Sequence, residues 1–134
     1  MFKFLIFLGF CALVSLTHQD SAAFAMNPSY EVFPPFVQFP SVDVGGGRTD
    51  SFTIRNLGDQ ALTDITVLPT GFDGDFDIQP QGCEFLAARQ TCTVWVWFHP
   101  MVIGFQTLTV TVSSGAYSET VDVSGDAYQP GPHR

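Results

Sequence analysis

Thr91-Cys92-Thr93-Val94-Trp95-Val96-Trp97-Phe98 is the stretch on which the fold turns. Cys92, Val94, Val96 and Phe98 fall on every second position. That is the period of a strand buried on one face, because successive side chains leave a pleated backbone on opposite sides. The other phase carries Trp95 and Trp97, which should therefore point away from the core. His99-Pro100 ends the strand, and the chain resumes its alternation after Gly104.

The same period spreads outward from this centre. Downstream, Leu108, Val110 and Val112 face the core and Thr107, Thr109 and Thr111 face out. Ser113-Ser114-Gly115 turns into a further strand with Val121 and Val123 inward. Upstream, Asp75 to Ile78 is a short strand with Phe76 and Ile78 inward, and Leu62 to Leu68 is another with Ile65 as its core residue. Phe52 and Ile54 alternate with Thr53 and Arg55 over Ser51 to Asn56. Phe36 to Phe39 begins the sheet after Pro34-Pro35, which suits an edge position because proline cannot donate to a ladder. Seven short strands with turn signals between them and no helical stripe predict an all-β fold, a seven-stranded antiparallel β-sandwich.

Residues 1–25 read as a secretory signal peptide. Lys3 supplies the positive start, Phe4 to Leu16 the apolar run, and Ala23-Phe24-Ala25 the small-residue cleavage pattern. The apolar run falls short of the roughly 20 residues a spanning helix needs, so no transmembrane segment is expected in the mature chain. Bulky Phe10 before Cys11 argues against lipidation. Residues 26–35 are then an N-terminal arm, 36–127 the domain, and 128–134 a flexible tail with two prolines. The whole chain carries a formal net charge of −8, and after residue 25 its only bases are Arg48, Arg55, Arg89 and Arg134. Nucleic acid is excluded as a partner, since phosphate backbones are held by clustered Lys and Arg.

Several pieces in fixed order resemble a known family: Phe39-Pro40-Ser41-Val42-Asp43-Val44-Gly45, Ile54-Arg55-Asn56-Leu57-Gly58, Cys83 and Cys92 before the Thr-Val strand, His99-Pro100, Gly104, and Val123-Ser124-Gly125. Together they resemble the ASPM/Hydin-type (ASH) immunoglobulin-like domain, whose secreted bacterial members are of the choice-of-anchor D type. The resemblance runs from about Phe36 to Ala127. It implies a non-catalytic β-sandwich used for assembly or binding, with no cofactor. An even cysteine count after export, together with the family position, favours a Cys83–Cys92 disulfide, worth roughly 2–3 kcal/mol for so short a loop.

Trp95 and Trp97 depart from the small polar residues that the family carries at outward positions. Either they form a binding stripe for a protein or a sugar ring, or Tyr30 to Phe36 folds across and covers them. Arg55 is expected to reach that face and add a cation–π contact. Asp73, Asp75 and Asp77 have calcium-loop spacing, but Ile78 stands where such a loop needs glycine, so no metal site is expected and the three read as solvated edge carboxylates. Leu68-Pro69-Thr70-Gly71 lacks the variable residue of a sorting signal. His99 reads as a turn residue. No histidine stands at nucleophile spacing and Gly-x-Ser-x-Gly is absent, so no catalytic residue is assigned.

The expectation is an exported module, periplasmic or at the cell surface, bound to a protein partner of the envelope or to itself. The alternatives are a carbohydrate-binding module using Trp95 and Trp97, or a periplasmic chaperone-like accessory protein. The chaperone reading is the weaker, because pilus chaperones pair two domains around a basic cleft.

Overall fold

The computed structural model describes residues 29–71 and 74–132. Residues 1–28, which include the expected signal peptide, together with Phe72, Asp73, His133 and Arg134, lie outside the described residues. Among the described residues nine strands follow one another: β1 (Tyr30–Phe33), β2 (Phe36–Gln38), β3 (Val42–Asp43), β4 (Arg48–Asn56), β5 (Thr66–Thr70), β6 (Phe76–Gln79), β7 (Thr91–Phe98), β8 (Gly104–Ser114) and β9 (Tyr117–Tyr128). They form two sheets packed face to face. The first has the order β1-β4-β7-β6. The second has the order β2-β9-β8-β5, with β3 also paired to β9.

The all-β sandwich is as expected, but among the described residues nine strands replace seven, and the second sheet is mixed while the first is wholly antiparallel. The additions are β1 and β3. Tyr30–Phe33, which the sequence suggested was an arm, pairs antiparallel with β4 from Tyr30↔Asn56 to Phe33↔Thr53. At Pro34-Pro35, after a cis Phe33-Pro34 bond, the chain crosses to the second sheet. It therefore runs alongside β9 in the same direction, with Val37 opposite Val123 and Val42 opposite Ala127. Leu62 to Leu68 is not one strand. Leu62 makes only a bridge to Leu86, Asp64 adopts a left-handed backbone that interrupts the ladder, and regular pairing starts at Thr66.

The central strand Thr91–Phe98 has the expected bounds. Val94, Val96 and Phe98 from β7, Phe52 and Ile54 from β4, and Leu108, Val110, Val112, Val121 and Val123 from β8 and β9 fill the space between the sheets. Phe98 stacks on Phe76 with ring centroids 4.7 Å apart and lies 5.5 Å from Phe39. Gly125 sits beneath this ring. A Cβ there would fall 2.5–2.8 Å from three Phe98 ring atoms, so the family glycine is a packing requirement of the aromatic cluster.

Polar groups tie the layers together. Tyr30 reaches across from the first sheet, and its hydroxyl meets the carbonyls of Val112 at 3.2 Å and Tyr117 at 3.0 Å on the second. Asn56 is fully buried. Its Nδ2 contacts the carbonyls of Gln60, Leu86 and Ala87 at 2.7, 3.2 and 3.1 Å, while its Oδ1 accepts the Gly58 N–H at 2.9 Å. One amide thus pins the turn after β4 to the long connection before β7. The Cys83–Cys92 disulfide, with Cα atoms 5.6 Å apart, pins the same connection to β7 itself.

Candidate functional site

Trp95 and Trp97 leave β7 on the face turned away from the core, 51% and 43% exposed. The segment Tyr30–Phe33 does not cover them. It sits at the edge of the first sheet on the far side of β4, which leaves both indoles exposed. Their Cα positions are about 7 Å apart along the strand and on the same face.

Their surroundings follow from register. Directly opposed residues in an antiparallel pair share a face and bring their Cβ atoms within about 5 Å. Ser51 of β4 and Gln79 of β6 therefore flank Trp95, and Thr49 and Asp77 flank Trp97 in the same way. Gln79 Nε2 donates to Asp77 Oδ2 at 2.8 Å, so the two long side chains on the β6 side hold each other. Trp97 is also backed on its own strand. His99 lies 5.3 Å away centroid to centroid, and its Nδ1 is 2.6 Å from the Gly46 carbonyl. A carbonyl only accepts, so Nδ1 carries the proton. A Cβ on Gly47 would come within 2.8 Å of the Trp97 Nε1, which explains the local need for glycine. A groove of about 190 Å³ beside Trp97 is lined by Asp77, His99 and Met101 among others.

Arg55 is on this face but not in contact with the indoles. Its β7 partner is Thr91, two same-face positions and about 13 Å from Trp95. Its Nη1 points instead to Glu31 Oε1 at 3.8 Å. The expected cation–π contact is thus replaced by an exposed ion pair, which contributes at most about 1 kcal/mol. His99 does end its strand as expected, with the added task of bracing Trp97.

The acidic triplet is also redistributed. Asp77 is exposed, Asp73 lies outside the described residues, and Asp75 is buried rather than solvated. The Asp75 carboxylate accepts the Met101 N–H at 3.0 Å and the Gln106 Nε2 at 2.6 Å, and its carbonyl accepts the His99 N–H at 2.8 Å. Gln106 also donates to the Val102 carbonyl at 3.2 Å. Asp75 is therefore the peg on which the β7–β8 connection hangs. Among the described residues no group of three His, Cys, Asp or Glu side chains is placed to hold a metal ion.

That connection displays a surface the sequence reasoning missed. Met101, Val102 and Ile103 are 62, 61 and 58% exposed, and Phe105 beside them is more exposed still. Three consecutive aliphatics in a loop, where polar residues belong, are the available signal. In the sequence the loop reads only as a connection between strands, and the carboxylate that rigidifies it reads as solvated.

The solved structures resemble this arrangement in fold. The ASH/PapD-like domain 7 of human CEP192 superposes with a TM-score of 0.59 at 18% identity, covering 76% of this chain and 87% of that one. The VesB protease of Vibrio cholerae gives 0.57 at 19% identity over 74% of this chain, which spans only 32% of that protease. WR4, an MSP family member of C. elegans, gives 0.55 at 13% identity over 76% of this chain and 100% of that one. At these identities the likeness is one of fold. No curated protein matches the chain in sequence. The model of the HYDIN/CFA65/VesB-like, Ig-like domain matches residues 28–126, which takes in every strand and nearly all of the β9 ladder. The chain belongs to the HYDIN/CFA65/VesB-like family of immunoglobulin-like domains, the ASH type.

Proposed function

We propose that this chain is an exported, non-catalytic recognition module that works by contact, as a subunit or adaptor of the cell envelope or surface, in the periplasm or outside it. The leader-like residues 1–25 and the Cys83–Cys92 disulfide support the exported reading, since disulfides persist in oxidising compartments. The observation that carries the contact reading is the uncovered tryptophan pair at the middle of the first sheet. Fully burying one large aromatic against a partner contributes about 1.5–3 kcal/mol, so a sequence that leaves two in water gains by covering them. Protein contact is what an immunoglobulin-like fold suggests in general terms. The aliphatic pole at Met101, Val102 and Ile103 is a second surface suited to it, already ordered by Asp75 and so cheap in entropy to dock.

Capture from an envelope extract tests the reading. Wild-type protein, the double variant Trp95→Thr/Trp97→Thr, and Met101→Ser/Ile103→Thr are immobilised in parallel, with melting points measured separately. Partner material lost from one variant at an unchanged melting point supports a recognition module. Capture identical across all three overturns it.

A further inference from the structure

Resting on the reading of the first sheet as a contact face, we propose that its occupant is a neutral glycan. A tryptophan that anchors a protein interface gains most from a well-packed pocket that is fully desolvated on binding. Here each indole is bracketed on both sides, in register, by a hydrogen-bonding side chain: Ser51 and Gln79 about Trp95, Thr49 and Asp77 about Trp97. A pyranose ring has the matching chemistry, with a flat C–H face for the indole and a rim of hydroxyls that both donate and accept. The flanking groups supply both functions, since Gln79 and the hydroxyls donate and Asp77 only accepts.

The face is also prepared in advance. The Asp77–Gln79 hydrogen bond fixes the β6 rim, and His99 and the Gly46-Gly47 backbone brace Trp97. Rigid platforms suit a ligand whose hydroxyls must be paired to repay their lost water. The groove beside Trp97, with the Asp77 carboxylate and the His99 ring on its wall, lies where a sugar stacked on Trp97 extends its substituents. Two platforms with Cα positions about 7 Å apart on one strand point to a chain of at least two residues rather than a free monosaccharide. Charge settles which glycan. The face carries Asp77 and Glu31 against Arg55, and Arg55 is already paired with Glu31; with a chain net charge of −8, uronates and sulfated sugars are repelled.

The test is native affinity electrophoresis of the full chain through gels containing a β-glucan, a mannan, a galactan or a xylan, with alginate as the anionic control. Isothermal titration follows with any oligosaccharide of a polymer that retards the protein. Retardation by a neutral polymer and not by alginate is expected. Trp95→Thr and Trp97→Thr should each weaken binding about ten- to a hundredfold, taking the stacking of a nucleic-acid base on an aromatic side chain as the scale. Gln79→Ala, which leaves both indoles in place, should weaken it by a smaller factor at an unchanged melting point. No retardation by any polymer, or retardation that survives both tryptophan replacements, overturns the glycan assignment. If a protein is captured through Trp95 and Trp97 while every polymer fails, the glycan falls and the contact face stands. If neither protein nor polymer depends on the tryptophans, both readings fall.

Discussion

Replacing Asn56 is the sharpest probe of how this sandwich is fastened. The amide has two N–H groups facing three carbonyls, so one hydrogen is shared, and Oδ1 takes the Gly58 N–H. That amounts to about three full hydrogen bonds at roughly 1 kcal/mol net each. Asn56→Ala should therefore cost about 3 kcal/mol, and rather more if the abandoned groups stay dry. For a domain of this size that corresponds to a fall in Tm on the order of 15 °C. Asn56→Asp separates hydrogen bonding from shape. It keeps Oδ1 for Gly58 but turns a charged acceptor toward three carbonyl oxygens, a placement that raises the carboxyl pKa in the folded state. A group whose folded pKa is raised contributes stability below its unfolded pKa, near 4, and loses it as pH rises. The aspartate variant should thus recover toward wild type in acid, where its protonated oxygen can donate again. Urea denaturation across pH 3.5–7, read as midpoint shifts at constant slope, is the assay. A loss below about 0.5 kcal/mol for Asn56→Ala, the level of an ordinary surface change, or a pH-independent Asn56→Asp, would refute the reasoning.

Four further outcomes follow from the same geometry. Gly125→Ala should destabilise by about 1–3 kcal/mol through overpacking against Phe98, and Phe98→Leu in the same chain should recover part of that loss; additive effects in the double-mutant cycle would show that the two do not meet. Cys92→Ser should cost about 2–5 kcal/mol, with non-reducing peptide maps of the wild type joining the Cys83 and Cys92 peptides. Tyr30→Phe should cost about 1 kcal/mol by removing the hydroxyl that meets Val112 and Tyr117. Burial, aided by the Glu119 charge, holds the Tyr30 pKa above its usual value of about 10, so wild-type stability should decline as pH climbs past 10, and Tyr30→Phe should flatten that decline in an alkaline melting series. Asp75→Ala should free the Met101–Ile103 loop to proteolysis, whereas excess calcium and chelator should give the same melting midpoint, because the Asp75 carboxylate is already committed to Met101 and Gln106.

The inner faces were legible because burial writes itself as period two. Val94, Val96, Phe98, Leu108, Val110, Val112, Val121 and Val123 all face the core as that period requires. The outward phase of Trp95 and Trp97 was legible for the same reason, but their exposure was not. Alternation assigns a side chain to a face, and what lies over that face depends on where Tyr30–Phe33 pairs, a long-range contact with no local signature. Arg55 failed similarly, since its distance from the indoles is a matter of register rather than of face. Asp75 was misread because a carboxylate in an acidic edge strand ordinarily stays in water. Its donors, the Met101 N–H and Gln106 Nε2, come together only once the β7–β8 connection and the start of β8 have folded.

Pairing β2 and β3 with β9 has a consequence for how the molecule comes to exist. Val37 meets Val123 and Val42 meets Ala127, so the earliest strands of the second sheet have no ladder until the strand Tyr117–Tyr128 arrives. Contacts so distant in sequence are slow to close, placing such topologies in the millisecond-to-second range. The disulfide has no such wait, because its cysteines are only nine positions apart. Oxidation can therefore precede the sandwich, leaving an early species that is crosslinked at β7 yet still open along β9. A chain cut within Tyr117–Tyr128 should be held at that stage, oxidised and collapsed, with the inner faces of both sheets left to aggregate.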